Sequence, residues 1–166
     1  MNTHLDIFKS FLEEMESEYI DLLLYNHVRW LSRGNVLNKF VSCLEHIEVF
    51  LNEKKQHFPE LNNKEWLCQL MFLTDITKHF DKLNLRLQGQ SQTALELFFE
   101  YWKGIATKLS IFLSDINTST YKCFPNVKAL ANKSTIDKDK LITYVEALKE
   151  EFAKTLKLMC LYFPSS

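Results

Sequence analysis

The sequence predicts an all-α domain of about five main helices, and three observations lead to that prediction. The 166 residues include only three glycines and three prolines, far below the average combined share of about 12%, so few tight turns are expected. Apolar residues recur at spacings of three and four along most of the chain, which is the period of an amphipathic helix. At this length, one hydrophobic core can bury about 68–70% of the unfolded surface. We therefore expect a single helical domain over residues 1–166.

The N-terminal part contains two predicted helices separated by an ambiguous stretch. Residues 3–17 carry an apolar stripe, and residues 32–55 carry a longer one, with Ser32 as the expected N-cap. Between them, the apolar run near residues 20–26 is too short to distinguish a helix from a short extended segment. Pro59 disfavours helix at the residue before it, so the second helix is expected to end before this proline.

The rest of the chain contains three further main helices. Two of them open with capping boxes, Asn62-x-x-Glu65 and Thr93-x-x-Glu96, and Gly89 stands where the third helix should end. The fourth helix is apolar on more than one face and is expected to be the most buried. A short helix after Pro125 and a last helix over about 135–161 complete the prediction. One side of the third helix is expected to carry Trp66, Leu70, Leu73, Thr77 and Phe80.

Charge and cysteine usage limit the classes of protein to which the chain can belong. The formal net charge is −1, so no global basic field drives non-specific binding to nucleic acid. Residues 1–20 hold five acidic side chains against Lys9, and residues 120–140 hold five lysines against two aspartates. Such runs are typical of solvated faces. The four cysteines are scattered singly, which indicates a reducing compartment, nuclear or cytoplasmic.

Signals for secretion, membrane insertion and catalysis are weak. The N-terminus lacks a basic and apolar leader, and no run of 18 apolar residues occurs, so we expect no membrane partner. No glycine-rich phosphate loop or nucleophile elbow is present, and Asp75, Asp81 and Asp115 show no spacing that indicates a shared site. We expect no catalytic residues and no cofactor.

Cys43-x-x-His46 has the spacing of half a zinc site, because residues three apart share one helix face. No second pair of ligands lies at a suitable spacing. The two residues fit equally well as a semi-buried thiol and a histidine beside an apolar stripe. We therefore predict no metal site.

Arg29, Trp30 and Arg33 form the most unusual cluster in the sequence. Guanidinium groups can hold phosphates in a bidentate fork, and an indole can stack on a base that has left the duplex. Trp30 can instead be a core anchor with both arginines at the surface. Residue types alone favour this structural interpretation.

Three longer segments show a family resemblance. They are HVRWLSRGNVLNKF, which contains Arg29, Trp30 and Arg33, WLCQLMFLTDITKHFDKLNLRLQGQSQTALELF, and FPNVKAL. Together they resemble the transposases of hAT-type DNA transposons. They are especially similar to host-domesticated relatives, the zinc finger BED domain-containing and general transcription factor II-I repeat domain-containing protein 2 groups. The resemblance covers about residues 8–131.

The resemblance implies a position within a larger architecture. In hAT transposases an RNase H-like fold carries three acidic metal ligands, and an all-helical insertion interrupts it between the second and the third. The chain resembles that insertion, so the catalytic acids are expected outside it. The family's tryptophan is associated with a flipped base or hairpin at the transposon flank. This role carries over to Trp30, with Arg29 as a phosphate partner, whereas the resemblance assigns no role to Arg33.

Two functions remain open at the sequence level. The first is a non-catalytic, transposon-derived helical module that supported DNA-end handling through Arg29, Trp30 and Arg33. The second is a domesticated scaffold for protein partners, consistent with the near-neutral charge and an aromatic content of 13%. Homo-oligomerisation is expected to depend on flanking regions rather than on this chain.

Overall fold

The computed structural model describes residues 30–87 and 94–162, and these contain no strand. The prediction of an all-α fold is confirmed. The predicted helix over 3–17, the segment near 20–26, and the caps at Gly89 and Thr93 lie outside the described residues. The described helices are α1 (Trp30–Ser42), α2 (Leu44–Glu53), α3 (Lys64–Leu87), α4 (Ala94–Asn117), α5 (Pro125–Lys133) and α6 (Lys138–Tyr162), with a 3₁₀ helix over Pro59–Asn62.

Helices α1 and α2 correct the single second helix that the sequence predicts. Ser32 lies inside α1 and is therefore not its N-cap. The helix tightens at Cys43, whose amide donates to the carbonyls of both Lys39 (3.0 Å) and Phe40 (3.2 Å). One residue earlier, the Ser42 hydroxyl donates to the Asn38 carbonyl at 2.9 Å, a side-chain bond that commonly bends helices. Periodicity continues across this break, so the sequence pattern does not reveal it.

The connection from α2 to α3 starts from a left-handed residue. Lys55 has φ 54°, its amide donates to Asn52, and the amide of Gln56 donates to Leu51 at 2.9 Å. This pair of bonds is a Schellman motif, which usually places glycine where Lys55 stands. Phe58 is extended, as expected for the residue before a proline. The chain then turns through the 3₁₀ helix and enters α3.

Helix α3 begins one residue later than the predicted capping box implies. Asn63, not Asn62, accepts the free backbone amides, with its Oδ1 at 2.9 Å from the Glu65 nitrogen and 3.2 Å from the Trp66 nitrogen. Asn62 is instead the last residue of the 3₁₀ helix. The predicted side of the helix is not buried along its whole length, since Leu73 is exposed while Thr77 and Phe80 are buried. The other described buried residues of α3 are Phe72, Thr74, Asp75, Ile76 and Leu83.

Contacts divide the chain into two compact units, with the boundary between Lys78 and His79 inside α3. A single domain over residues 1–166 remains a prediction.

The second unit has a closed apolar core. Helix α4 packs along α6 and contributes one buried stripe at spacings of four and three. Phe112 and Phe124 are essentially inaccessible, and their ring centroids lie 5.1 Å apart. The short helix predicted after Pro125 is confirmed as α5. Ile111 of α4 is exposed. Among the described side chains of α4, the buried ones therefore lie on one face of the helix. The core residues of the unit include Ile105, Leu109, Phe112, Ile116, Phe124, Val127, Leu141 and Val145.

Asp115 organises the loop between α4 and α5. Its Oδ1 accepts hydrogen bonds from the Thr120 hydroxyl and from the Lys122 amide, the latter at 2.9 Å, while its Oδ2 accepts the Cys123 amide at 2.7 Å. Burial raises the pKa of Asp115, but the hydrogen bonds to Thr120, Cys123 and Lys122 together outweigh it and hold the pKa below its ordinary value. His79 Nε2 lies 2.6 Å from the Cys123 carbonyl oxygen. The loop is therefore fixed through its backbone.

Candidate functional site

The predicted DNA-contact residues lie at the edge of the described structure. Arg29 lies outside the described residues, whereas Trp30 and Arg33 belong to the first described turn of α1. They stand three positions apart along the helix, slightly less than one full turn. The backbone therefore places Trp30 and Arg33 about one turn apart, and their role in DNA binding stays a prediction.

An apolar cavity of about 390 Å³ opens in the first unit. Four consecutive segments of the chain build it: α1, α2, the 3₁₀ helix and the first turn of α3. Such a volume falls within the range of about 300–1,000 Å³ that is usual for binding pockets. The lining is almost entirely apolar. The described wall residues are Phe40, Ile47, Leu51, Phe58, Glu60, Leu61 and Trp66.

Local sequence explains how these side chains meet. The Schellman motif at Lys55 ends α2 directly after Leu51 has contributed to the wall, and Pro59 then fixes the turn that carries Phe58 and Leu61. Asn63 caps α3 through the amide of Trp66 itself. Each step of the connection thus has a hydrogen bond or a proline that determines its course.

Two buried residues, Cys43 and Ile47, form the core cluster of this part of the unit, and Phe40, Phe50, Leu51 and Leu61 pack against it. Burial raises the pKa of the Cys43 thiol, and the opposing charge of Lys39 does not offset this. A thiol held in its protonated form is a poor nucleophile and a poor metal ligand. Cys43 therefore contributes to packing here rather than to chemistry.

His46 lies one turn from Cys43, and its Nδ1 is buried without a hydrogen-bond partner among the described residues. Among those residues, no three histidine, cysteine or acidic side chains come together in a group that could hold a metal ion. Cys43 and His46 remain an isolated pair in this part of the chain.

The rim of the cavity is accessible. Phe58 is 49% exposed although it is a large aromatic residue, and Glu60 beside it is exposed as well. Glu60 is the charged member of the described wall, and no described cation pairs with its carboxylate. An exposed aromatic side chain next to an apolar hollow is typical of a surface that binds another molecule.

Sequence reasoning missed this cavity. The sequence pattern highlighted Arg29, Trp30 and Arg33 and placed Trp66 only on one side of the third helix. A signal was present, since Phe58-Pro59 and Trp66 place two large aromatics around a turn where the chain must reverse. The hollow itself depends on the 3₁₀ helix, which periodicity does not predict.

The carboxylates considered at the sequence level do not form a described catalytic group. Asp115 has both oxygens engaged by the loop of the second unit. Asp75 is buried in α3, and burial raises the pKa of Asp81. A two-metal site needs several convergent carboxylates in their charged form.

Comparison with known proteins assigns the family. Residues 2–117 of the chain match the FAM200/GTF2IRD2 helical domain family. The chain belongs to this family. The matched range contains every described residue of the cavity wall, and it also contains the Arg29-Trp30-Arg33 cluster.

Individual relatives agree with this assignment. The chain is 32% identical over 155 residues to general transcription factor II-I repeat domain-containing protein 2 of Bos taurus, and 31% identical over 149 residues to its namesake from Mus musculus. These alignments cover 93% and 90% of the chain but only 16% of each relative. No solved structure matches the chain. The predicted similarity to this group of proteins is therefore confirmed.

Among the described residues, no helix combines the length and the apolar character needed to cross a membrane.

Proposed function

We propose that the chain is a non-catalytic, helical protein-interaction module of a hAT-transposase-derived nuclear protein, and that the apolar cavity of the first unit is its docking surface. One observation carries the proposal: a cavity of about 390 Å³ with an almost wholly apolar wall and an exposed aromatic rim. Nuclear localisation rests on relatives named as general transcription factor repeat proteins.

The energetics favour association through this surface. Burying one large apolar side chain contributes about 1.5–3 kcal/mol, so two such anchors in the cavity would supply a substantial part of a micromolar interaction, about 8 kcal/mol. Phe58 belongs to the described wall and is 49% exposed, so its ring is accessible to an incoming group. Aromatic residues in this position are frequent energetic centres of interfaces.

A binding role also agrees with the chemistry of the wall. Cys43 is not a described wall residue. It lies in the core cluster against which Leu51 packs, and burial there raises the pKa of its thiol. Glu60 is the charged residue on the described wall. General acid–base or nucleophilic catalysis requires at least a nucleophile or proton carrier together with a partner that activates it. The ancestral acids are expected outside the chain, as the transposase resemblance implies.

The test is affinity capture from nuclear extract with the immobilised chain, followed by reconstitution with the purified captured protein. Phe58→Asp should abolish capture, because a carboxylate at the rim opposes burial of apolar side chains. Val49→Asp is the matched control, since Val49 is 43% exposed on α2 but does not contribute to the described wall. A partner retained equally by both variants would exclude the cavity as the docking surface.

DNA-end binding through Arg29, Trp30 and Arg33 is the second candidate. It is supported by the resemblance of this stretch to hAT transposases, and Trp30 and Arg33 both lie in the first described turn of α1. Stacking on a flipped base contributes about 1–3 kcal/mol. Trp30→Ala should therefore weaken binding of hairpin DNA by about tenfold at low salt.

The control for that measurement is Lys64→Ala, which removes an exposed charge at the start of α3 without touching the cluster. It should change affinity by less than about twofold. Equal, negligible binding of hairpin and duplex DNA by the wild-type chain and Trp30→Ala would remove the DNA role.

A further inference from the structure

We propose that the occupant of the cavity is a basic amphipathic helix of a partner protein, which inserts two large apolar side chains one turn apart and places a lysine or arginine beside Glu60. This inference rests on the proposed function and names the class of partner that the same cavity takes. It is argued from the shape, the hydrogen-bonding capacity and the charge of the wall.

The apolar wall favours a partner in a helical conformation over one in an extended conformation. An extended strand needs partners for its backbone amides and carbonyls when it is buried. The described wall consists of side chains from helices and a 3₁₀ turn, is almost entirely apolar, and has no strand edge. A helix satisfies its own backbone hydrogen bonds and can therefore lie on such a surface without leaving polar groups unpaired.

The size of the cavity indicates how many side chains enter it. A volume of about 390 Å³ is near the lower end of the range for ligand pockets, which suits a small number of large apolar groups rather than a whole helix. Residues three or four apart on a helix lie about 5–6 Å from each other. Two anchors at that spacing are the smallest helical motif that fills the space.

The negative charge on the wall favours a partner that carries a positive charge at the rim. The Glu60 carboxylate is exposed and pairs with no described cation, so an anchor helix with a flanking lysine or arginine gains an ion pair at the rim. An acidic helix would meet repulsion at the same point. The chain's own N-terminal stretch, residues 1–20, carries five acidic side chains against one lysine and is disfavoured by this criterion.

Isothermal titration of the intact chain with three synthetic peptides tests the proposal. Two are designed helices of about 15 residues, near the length at which isolated helices become viable, which share one leucine stripe and carry lysine or glutamate beside it. The third reproduces residues 1–20 of this chain. The variants are Phe58→Asp, Glu60→Lys and, as matched control, Val49→Asp.

The lysine peptide should bind more tightly than the glutamate peptide by about threefold to tenfold at low salt. Glu60→Lys should reverse that preference, Phe58→Asp should weaken both peptides by about tenfold or more, and Val49→Asp should leave both unchanged. Tighter binding of the peptide 1–20 would overturn the basic partner in favour of the chain's own segment.

Two further outcomes separate this inference from the proposed function. If both designed peptides bind equally and Phe58→Asp still weakens them, the cavity binds helices but the basic partner is wrong. If neither designed peptide binds, or if binding is unaffected by Phe58→Asp, the helix-docking inference fails. Capture of a non-helical partner that Phe58→Asp abolishes would then leave the interaction module itself intact.

Discussion

The two units of the chain differ in how fully some of their large apolar side chains are buried. In the second unit, Phe112 and Phe124 are closed in against each other and have no appreciable contact with solvent. In the described part of the first unit, Phe40, Leu51 and Trp66 are only half-buried and surround a cavity. Close packing maximises stability, so an open apolar wall is a feature that stability alone does not explain. This difference is the structural basis for the proposal that the cavity of the first unit is a docking surface.

The carboxylates of Asp115, in the second unit, and Glu60, in the first unit, differ in the same direction as the apolar side chains. Asp115 accepts hydrogen bonds from two backbone amides and a hydroxyl, and its position is fixed by them. Glu60 stands exposed at the cavity rim and pairs with no described cation. A carboxylate with its hydrogen bonds satisfied stabilises a fold, whereas an accessible one remains free to select a partner.

The comparison predicts its largest effect for matched changes of phenylalanine. Phe112→Ala should lower the free energy of unfolding by about 3–5 kcal/mol, because it leaves a void in a closed core. Phe58→Ala should cost less than about 1 kcal/mol, because Phe58 is already half exposed. Urea denaturation followed by circular dichroism measures both. As a control, Ile111→Ala, at a neighbouring position that is 52% exposed, should change stability by less than about 0.5 kcal/mol. Equal losses for Phe112→Ala and Phe58→Ala would contradict the division into closed and open regions.

Asp115→Asn should give the next largest effect, a loss of about 1–3 kcal/mol at neutral pH, because an amide cannot accept all the hydrogen bonds of the carboxylate. The pKa of Asp115 is held below its ordinary value of 3.8. The stabilisation is therefore complete above pH 3.8 and is lost as the pH falls below it towards the folded-state pKa.

The pH dependence of the unfolding midpoint checks the sign of this effect. The wild-type chain should lose stability in that acidic range more steeply than Asp115→Asn does. Glu146→Gln, on the exposed side of α6, serves as the control and should follow the wild-type curve. Parallel curves for the wild type and Asp115→Asn would show that the loop does not depend on the charged carboxylate.

The smallest effect is expected at Lys55, and a matched change at Tyr121 sharpens the comparison. Lys55→Gly should raise the free energy of unfolding by up to about 1 kcal/mol, because φ is 54° there and glycine adopts that conformation without strain. Tyr121 also has positive φ, at 47°, but its side chain is buried in the second unit. Tyr121→Gly should therefore destabilise by about 2–5 kcal/mol, since lost packing exceeds relieved strain. Thermal unfolding of the two variants distinguishes them, and stabilisation of both would show that the Tyr121 side chain contributes little.

The fold was largely predictable because helix formation is a local property. Apolar spacing predicted the helical segments, Pro59 predicted the extended Phe58, and Pro125 predicted α5. The errors arose where a tertiary or turn-level interaction decided the outcome. Asn63 replaced Asn62 as the cap because the 3₁₀ helix takes up one more residue, and Leu73 lies on the exposed side of an otherwise buried region of α3.

The candidate site was much less predictable than the fold. Its wall comes from four consecutive segments, and their meeting depends on the break at Cys43, the left-handed Lys55 and the cap at Asn63. None of these has a periodic signature. The cluster that the sequence did highlight, Arg29, Trp30 and Arg33, still awaits the DNA measurement, since family resemblance rather than geometry is what suggests its role.

The location of Trp66 has a practical consequence. An indole in the cavity wall senses the polarity around it, so a docked apolar group that expels water would shift its fluorescence emission to shorter wavelength. Replacing Trp30 and Trp102 with phenylalanine would leave Trp66 as the single fluorophore of the three tryptophans. The cavity therefore contains its own spectroscopic reporter, and occupancy can be followed by light without attaching a label.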